Sequence, residues 1–317
     1  MKKSNLLVAI LLISILSLTG CSNKALEAAT AAVDTYNTEV KAFNDKIKPY
    51  NEAVQIVADK NKELEDIVNS AQDVINKGEI PFDENTLTAL KDAMKIALDG
   101  KTEIPESLAK YNEISIDEKA KKSELKALTT NVQSDTEAMK SFVVPELPAA
   151  PDYSKEIEAV NSARFAYEDS IQGLKQITAP SDEFVIERLQ KIDTITEIAA
   201  VTEDHDPNGM LKKQGGYIGC IYFTDSQVNR DELYIEEGQD NVIDVGCDGG
   251  GAIEIFNTTE EAQTRDTYLG TFDGTGFASG SHYVYGTIIV RTSNELNGTQ
   301  QLELTDKIVN ELIYVEH

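Results

Sequence analysis

Histidine and cysteine are scarce in this chain, at three residues each out of 317. The scarcity removes several chemistries at once. No histidine-rich zinc pattern can be assembled, and no His-Glu-x-x-His helix of the metalloprotease kind occurs. The Walker phosphate loop and the G-x-S-x-G nucleophile elbow are missing too. Positive charge is the next shortage: 29 lysines and arginines, only five of them arginine, face 55 acids, for a formal net charge of −26. A chain of that sign repels nucleic acid and anionic lipid headgroups, and it favours cations, basic partners and solubility. Nucleic acid is therefore excluded as the expected partner.

What is present begins with Lys2 and Lys3, followed by an unbroken apolar or hydroxyl run from Leu6 to Leu18 and small residues before Cys21. Thirteen helical residues span roughly 20 Å, short of the ~30 Å hydrocarbon core, so the run reads as a cleaved secretory leader. Its ending, Leu18-Thr19-Gly20-Cys21, resembles the lipobox of bacterial lipoproteins, in which the cysteine thiol receives a diacylglyceryl group and becomes the new N-terminus. That resemblance implies lipidation at Cys21, export, and residence on the extracytoplasmic side of the cell membrane. The membrane is then a partner through two acyl chains, which hold stably where one holds marginally. The other reading is a soluble secreted protein with a cysteine near its cleavage site. Removing the leader takes away two lysines and no acid, so −26 becomes −28 for the remaining chain of about 300 residues. The lysine-over-arginine bias, with abundant Asn and Ile, suggests an AT-rich Gram-positive source.

A chain of this length supports two cores. The expected division is a leader over 1–20, a helical bundle over 21–177 and an α+β domain over 178–317. From Leu26 apolar residues recur at steps of three and four, through Val33, Tyr36, Val40, Phe43, Ile47, Tyr50, Val54 and Val57 to Leu64, Val68, Ala71 and Ile75, which predicts one long amphipathic helix. Continuous helix over that span reaches about 75 Å. Pro49 removes an amide inside it and predicts a kink. Asn61 is the polar intruder in the apolar seam, where such a residue can fix the register of a coiled coil. The flanking positions hold mostly Asn, Ala, Ile and Val, with only Glu39, Lys46, Lys60 and Glu65 charged. This wide, poorly charged face predicts an intrachain bundle over a dimeric zipper, whether built as an extended stalk or compactly. Return helices are predicted over Asn85–Leu98, Ile116–Phe142 and Tyr153–Ile177, separated by Gly78, Pro81, Gly100, Pro105 and the prolines 145, 148 and 151.

Beyond Pro180 the texture changes to glycine and β-branched runs. Ser181 caps a short helix to Ile192. Strands are predicted over Thr194–Val201, Tyr217–Phe223, Asn241–Val245, Ala252–Phe256 and Tyr283–Arg291, with a helix from Thr258 to about Leu269. The closing helix carries Leu302, Leu304, Ile308, Val309 and Leu312 inward. The fold class is α+β: an N-terminal all-α bundle or coiled-coil-like stalk followed by a small α+β sandwich on a largely antiparallel sheet.

Three groups of residues could carry chemistry. Asp204, Asp206 and Asn208, followed by Gly209, form the first half of a calcium loop, with alternate oxygens suited to a hard cation; the twelfth position from Asp204 is Gly215 rather than glutamate, and the same residues also make ordinary turns. Calcium is the one cofactor this pattern raises. Cys220 and Cys247, left over once Cys21 is lipidated, could form a disulfide, remain buried thiols, or supply a reactive thiol with His205 or His282. The run Cys247-Asp248-Gly249-Gly250-Gly251 could cradle an anion through its amides, but it lacks a following Lys and a turn between strands explains it better. Arg291 lies in an apolar strand as a salt-bridged residue or an anion clamp.

The segments Thr202-Glu203-Asp204-His205-Asp206-Pro207-Asn208, Gly216-Tyr217, Gly251–Phe256 and Gly286–Ser293 together resemble an uncharacterised C-terminal domain of exported Gram-positive lipoproteins, over roughly Thr194 to the end. The resemblance implies a class and no activity. Together with the leader it yields the expectation of a membrane-anchored lipoprotein acting as a binding or structural module of the cell envelope, with an envelope protein or polymer as partner. An envelope hydrolase of Cys/His type is the alternative.

Overall fold

A computed structural model describes residues 22–275 and 280–317; Cys21 and the leader lie outside the described residues. The helices are α1 (Ser22–Asn76), α2 (Glu84–Asp99), α3 (Lys122–Ser141), α4 (Ser154–Gln176), α5 (Asp182–Leu189), the single turn α6 (Val242–Val245), α7 (Thr259–Gly270) and α8 (Gly298–Ile313). The strands are β1 (Ile195–Ala200), β2 (Gly219–Asp225), β3 (Gly250–Ile255), β4 (His282–Tyr285) and β5 (Ile288–Thr292). The fold is α+β, and the one sheet among the described residues is antiparallel throughout, in the order β1-β2-β3-β5-β4. The described residues form two compact units: those up to Asp66 with Leu98–Lys155, and Ile67–Ala97 with Glu156–His317. The last turns of α1, most of α2 and nearly all of α4 thus belong with the sheet.

In the first unit, Ala32, Tyr36, Val40, Phe43 and Ile47 of α1 pack on Val132 and Met139 of α3. Pro49 lies inside α1 without ending it. The helix expected from Ile116 starts only at Lys122, because the chain before it does other work. From Pro105 to Ile114 only every third residue is half-buried, namely Pro105, Leu108, Tyr111 and Ile114. That is the period of polyproline-type chain, which has no internal hydrogen bonds and needs outside partners. Asparagines one heptad apart on α1 supply them. The amide of Asn37 donates to the Ile114 carbonyl (2.9 Å) and accepts from its N–H (2.9 Å). Asn44 does the same for Tyr111 (2.8 and 3.1 Å), and Asn51 for Leu108 (2.9 and 2.7 Å). Seven helical residues rise ~10.5 Å and three polyproline residues ~9.3 Å, so the two repeats nearly match. Asn61 extends the ladder: it donates to the Thr102 carbonyl (2.8 Å) and accepts from the Tyr153 hydroxyl (2.6 Å). The seam asparagine is therefore satisfied within the chain.

In the second unit both faces of the sheet are covered. Ile221, Phe223, Ile253, Ile255, Ile288 and Val290 meet α5 and α8 through Val185, Leu189, Leu304, Ile308 and Leu312. Cys220, Tyr222, Ala252 and Ile289 face Leu211, Tyr217, Ile243, Ala262 and Leu269 on the other side. Three expectations are corrected. Asn241–Val245 is not a strand: the Asn241 side chain accepts from the amides of Ile243 and Asp244 (both 3.1 Å) and caps the turn α6. Tyr283–Arg291 is not one strand but the hairpin β4–β5, bent at Gly286, whose φ of +58° suits glycine. Leu302 is 54% exposed, and Thr305 takes the inward place, its hydroxyl donating to the Gln301 carbonyl (2.8 Å).

Candidate functional site

Helix α7 begins at the cap Thr258, whose side chain accepts from the Glu261 amide (3.2 Å), and carries Ala262, Arg265 and Leu269 on its buried face. That spacing sends Arg265 onto the sheet, where Glu254 of β3 has no exposed surface. Arg265 approaches Glu254 with two nitrogens, Nε at 2.8 Å from Oε2 and Nη2 at 3.0 Å from Oε1. Arg291 of β5 places Nη1 2.7 Å from Oε1. The register explains the meeting: Glu254 pairs with Ile289 and Ala252 with Arg291, so glutamate and arginine are diagonal neighbours on one face. Burial pushes the Glu254 carboxyl up, but the hydrogen bond and charge of Arg265, with those of Arg291, outweigh it and hold the group below the ordinary carboxylate range. Burial likewise opposes the charge on Arg265, and the bond to Glu254 overcomes it. The three side chains sum to +1.

An open cavity of about 530 Å³ adjoins this triad. It is lined by the buried Arg265, Arg291 and Leu269, by Tyr268 and Phe272, and by Asn208 and Met210. The rings of Tyr268 and Phe272 meet edge to face (5.2 Å between centroids), and the Arg265 guanidinium lies 5.4 Å from the centre of the Tyr268 ring.

Asp206 holds the loop that brings Asn208 and Met210 to the cavity. Its Oδ1 accepts from the Asn208 amide (3.0 Å) and the Tyr217 hydroxyl (2.5 Å), and its Oδ2 from the amides of Met210 (2.6 Å) and Leu211 (2.7 Å). Asn208 donates from its side chain to the Tyr222 hydroxyl (2.9 Å), while Asp204 is exposed. Of the three positions considered for calcium, Asp206 and Asn208 thus hold a turn through inward hydrogen bonds. Among the described residues no group of three or more His, Cys, Asp and Glu side chains is placed to hold a metal.

Cys220 and Cys247 are both buried and both free thiols. Burial pushes Cys220 well up and Cys247 up to about 11, so neither is a thiolate near neutral pH. The histidines face carboxylates instead. Nε2 of His205 lies 2.6 Å from Asp244, and the ring nitrogens of His282 lie 2.6 Å from Asp266 and 3.3 Å from Asp273. The glycine run also has a packing role. A Cβ at Gly251 would stand 2.2 Å from the Arg291 carbonyl oxygen and 2.5 Å from the Phe223 ring, so only glycine lets β3 lie there. Arg291 is the one member of the triad singled out from sequence; Glu254 and Arg265 were missed. The available signal was an arginine between Ala262 and Leu269 on the apolar side of a helix, in a chain with only five arginines.

Comparison of the chain with protein-family models, with curated proteins and with solved structures finds no match in any of the three.

Proposed function

We propose that this chain is a lipoprotein, anchored through Cys21 on the extracytoplasmic face of the cell membrane, whose C-terminal unit is a binding module for an envelope component. The observation that carries the binding assignment is the open cavity beside the Arg265–Glu254–Arg291 triad: a concavity of ligand size with an apolar wall and a few convergent polar groups. The anchoring assignment is supported by the lipobox-like Leu18-Thr19-Gly20-Cys21. Hydrolysis by a Cys/His pair has no such support, since both thiols are buried and both histidines are engaged by aspartates.

Two measurements test the proposal. Metabolic labelling with an alkyne-tagged fatty acid should mark the wild type and not Cys21→Ala; equal labelling of both removes the anchor. A photo-crosslinking residue in place of Tyr268, on intact cells, should capture an envelope component that the same residue in place of Leu302 does not. Both positions are exposed, at 55% and 54%, so failure to capture at Tyr268 alone argues against the pocket rather than against access.

A further inference from the structure

We propose that the chain between Phe142 and Tyr153 is a docking ligand, a polyproline-type helix displayed for a partner protein whose groove is lined by aromatic rings. Its conformation follows from composition. Pro145, Pro148 and Pro151 each fix their own φ, and each pushes the residue before it, Val144, Leu147 and Ala150, out of the helical region into extended backbone. Phe142, at the head of the segment, has φ −65° and ψ 131°, and no helix, strand or turn intervenes before Ser154. With three residues per turn the prolines share one edge and Val144, Leu147 and Ala150 the next, so successive apolar-proline pairs form the ridge that aromatic grooves read. Eight residues of this helix, 144 to 151, extend ~25 Å.

The segment is pinned at its ends and bare between them. At the head, Phe142 packs edge to face on Phe43 (5.4 Å between ring centroids) and its carbonyl accepts from Nζ of Lys46 (2.6 Å). At the tail, Tyr153 is buried, and its hydroxyl donates to Asn61 (2.6 Å) and accepts from the Thr102 amide (2.8 Å). Between these anchors the backbone of residues 143–151 makes no hydrogen bond to any other described residue. Val144, Pro148 and Pro151 rest half-buried, while Pro145 and Ala150 are exposed, as are Val143 at 82% and Leu147 at 54%. The stretch 105–114 is the contrast: it turns its apolar residues inward, and Asn37, Asn44 and Asn51 occupy its backbone. One fold thus racks one polyproline stretch and leaves the other open.

The chemistry of the open stretch selects its occupant. Proline rings and Leu147 offer apolar surface that aromatic rings cover well, and the carbonyls between them accept hydrogen bonds from the donors of such a groove. Glu146 and Asp152 are exposed on the third edge and favour a basic rim. Because proline has already set the backbone, docking orders little that was free. The segment lies in the first unit, so the proposal is independent of the cavity beside α7.

The test places a photo-crosslinking residue at Ala149, exposed and off the apolar-proline ridge, in the full-length protein and irradiates it in a native lysate of the cells that make it. Two peptides compete: Phe142–Tyr153 as it stands, and the same stretch with alanine for all three prolines. Capture alone does not count. A protein adduct should form, and the first peptide should reduce it about tenfold at a concentration where the second leaves it unchanged. Pro145→Ala, at an exposed position, should lower the yield about threefold or more while shifting the melting temperature by no more than about 4 °C. Competition by both peptides alike or by neither overturns the proposal, as does an undiminished yield from Pro145→Ala. Absence of an adduct overturns it as well, and so does an adduct that proteinase leaves intact, which is a glycan or a lipid. The Tyr268 crosslink, and with it the proposed function, is untouched by any of these results.

Discussion

Glu254 is held between two arginines in the middle of a sheet, and the physics of that arrangement is asymmetric. Charges taken from water are stabilised only by one another, so removing one partner costs far more than the whole group contributes. Glu254→Gln is expected to lower unfolding free energy by about 3–5 kcal/mol in denaturant melts, because two guanidinium charges then share a buried site without a carboxylate. Replacing all three by apolar residues of similar volume should cost much less. The pH dependence follows from the direction of the shift. The folded form holds the carboxyl below its ordinary value of 4.5, so the stability it contributes is complete above that pH and is lost as pH falls through the folded value. Melts between neutral pH and pH 3 should therefore steepen in the wild type below about 4.5 and be flatter in Glu254→Gln. The triad was half legible. Arg291 stands out among Ile288, Ile289 and Val290, whereas Glu254 between Ile253 and Ile255 looks like the solvent side of an alternating strand. Only the covering of both faces by helices makes it buried, and sequence alternation does not report a second layer.

At the scale of elements, local chemistry was the reliable guide and long-range partnership was not. Ser181 and Thr258 cap the helices they were expected to cap, and α2, α4, α7 and α8 fall close to their apolar periodicities. Residues 105–114 escaped because their period of three answers to neither helix nor strand. The asparagines that hold them entered the sequence reading only as uncharged neighbours of the apolar seam. Asn37, Asn44 and Asn51 are better described as a rack that satisfies a segment with no hydrogen bonds of its own. Asn44→Ala is expected to cost about 1–3 kcal/mol, since the N–H and carbonyl of Tyr111 lose both partners. Trypsin gives an independent readout at the neighbouring Lys110, which is exposed. Cleavage there should accelerate in Asn44→Ala, and in Asn44→Asp, which can accept from the Tyr111 amide but sets a carboxylate against its carbonyl. Unchanged cleavage in both variants would show that α1 does not hold the segment.

For the molecule as a whole, the dominant quantity is charge: 55 acids against 29 bases repel one another in any compact state. The screening length falls from about 30 Å in 10 mM salt to about 8 Å at 150 mM, so the folded chain should gain stability over that range. Each kcal/mol of relieved repulsion raises the melting temperature by about 2–4 °C for a domain of 150–250 residues. The same experiment separates screening from a specific cation site. Both oxygens of Asp206 already accept hydrogen bonds from the amides of Asn208, Met210 and Leu211 and from the Tyr217 hydroxyl, and a calcium ion would have to displace them. Calcium chloride and sodium chloride at equal ionic strength should therefore raise the melting temperature equally, and Asp204→Ala should respond as the wild type does. Asp206→Ala should instead melt lower in both salts, because the loop that carries Asn208 and Met210 to the cavity loses its centre. A rise confined to calcium in the wild type and lost in Asp204→Ala would instead establish a cation site in this loop.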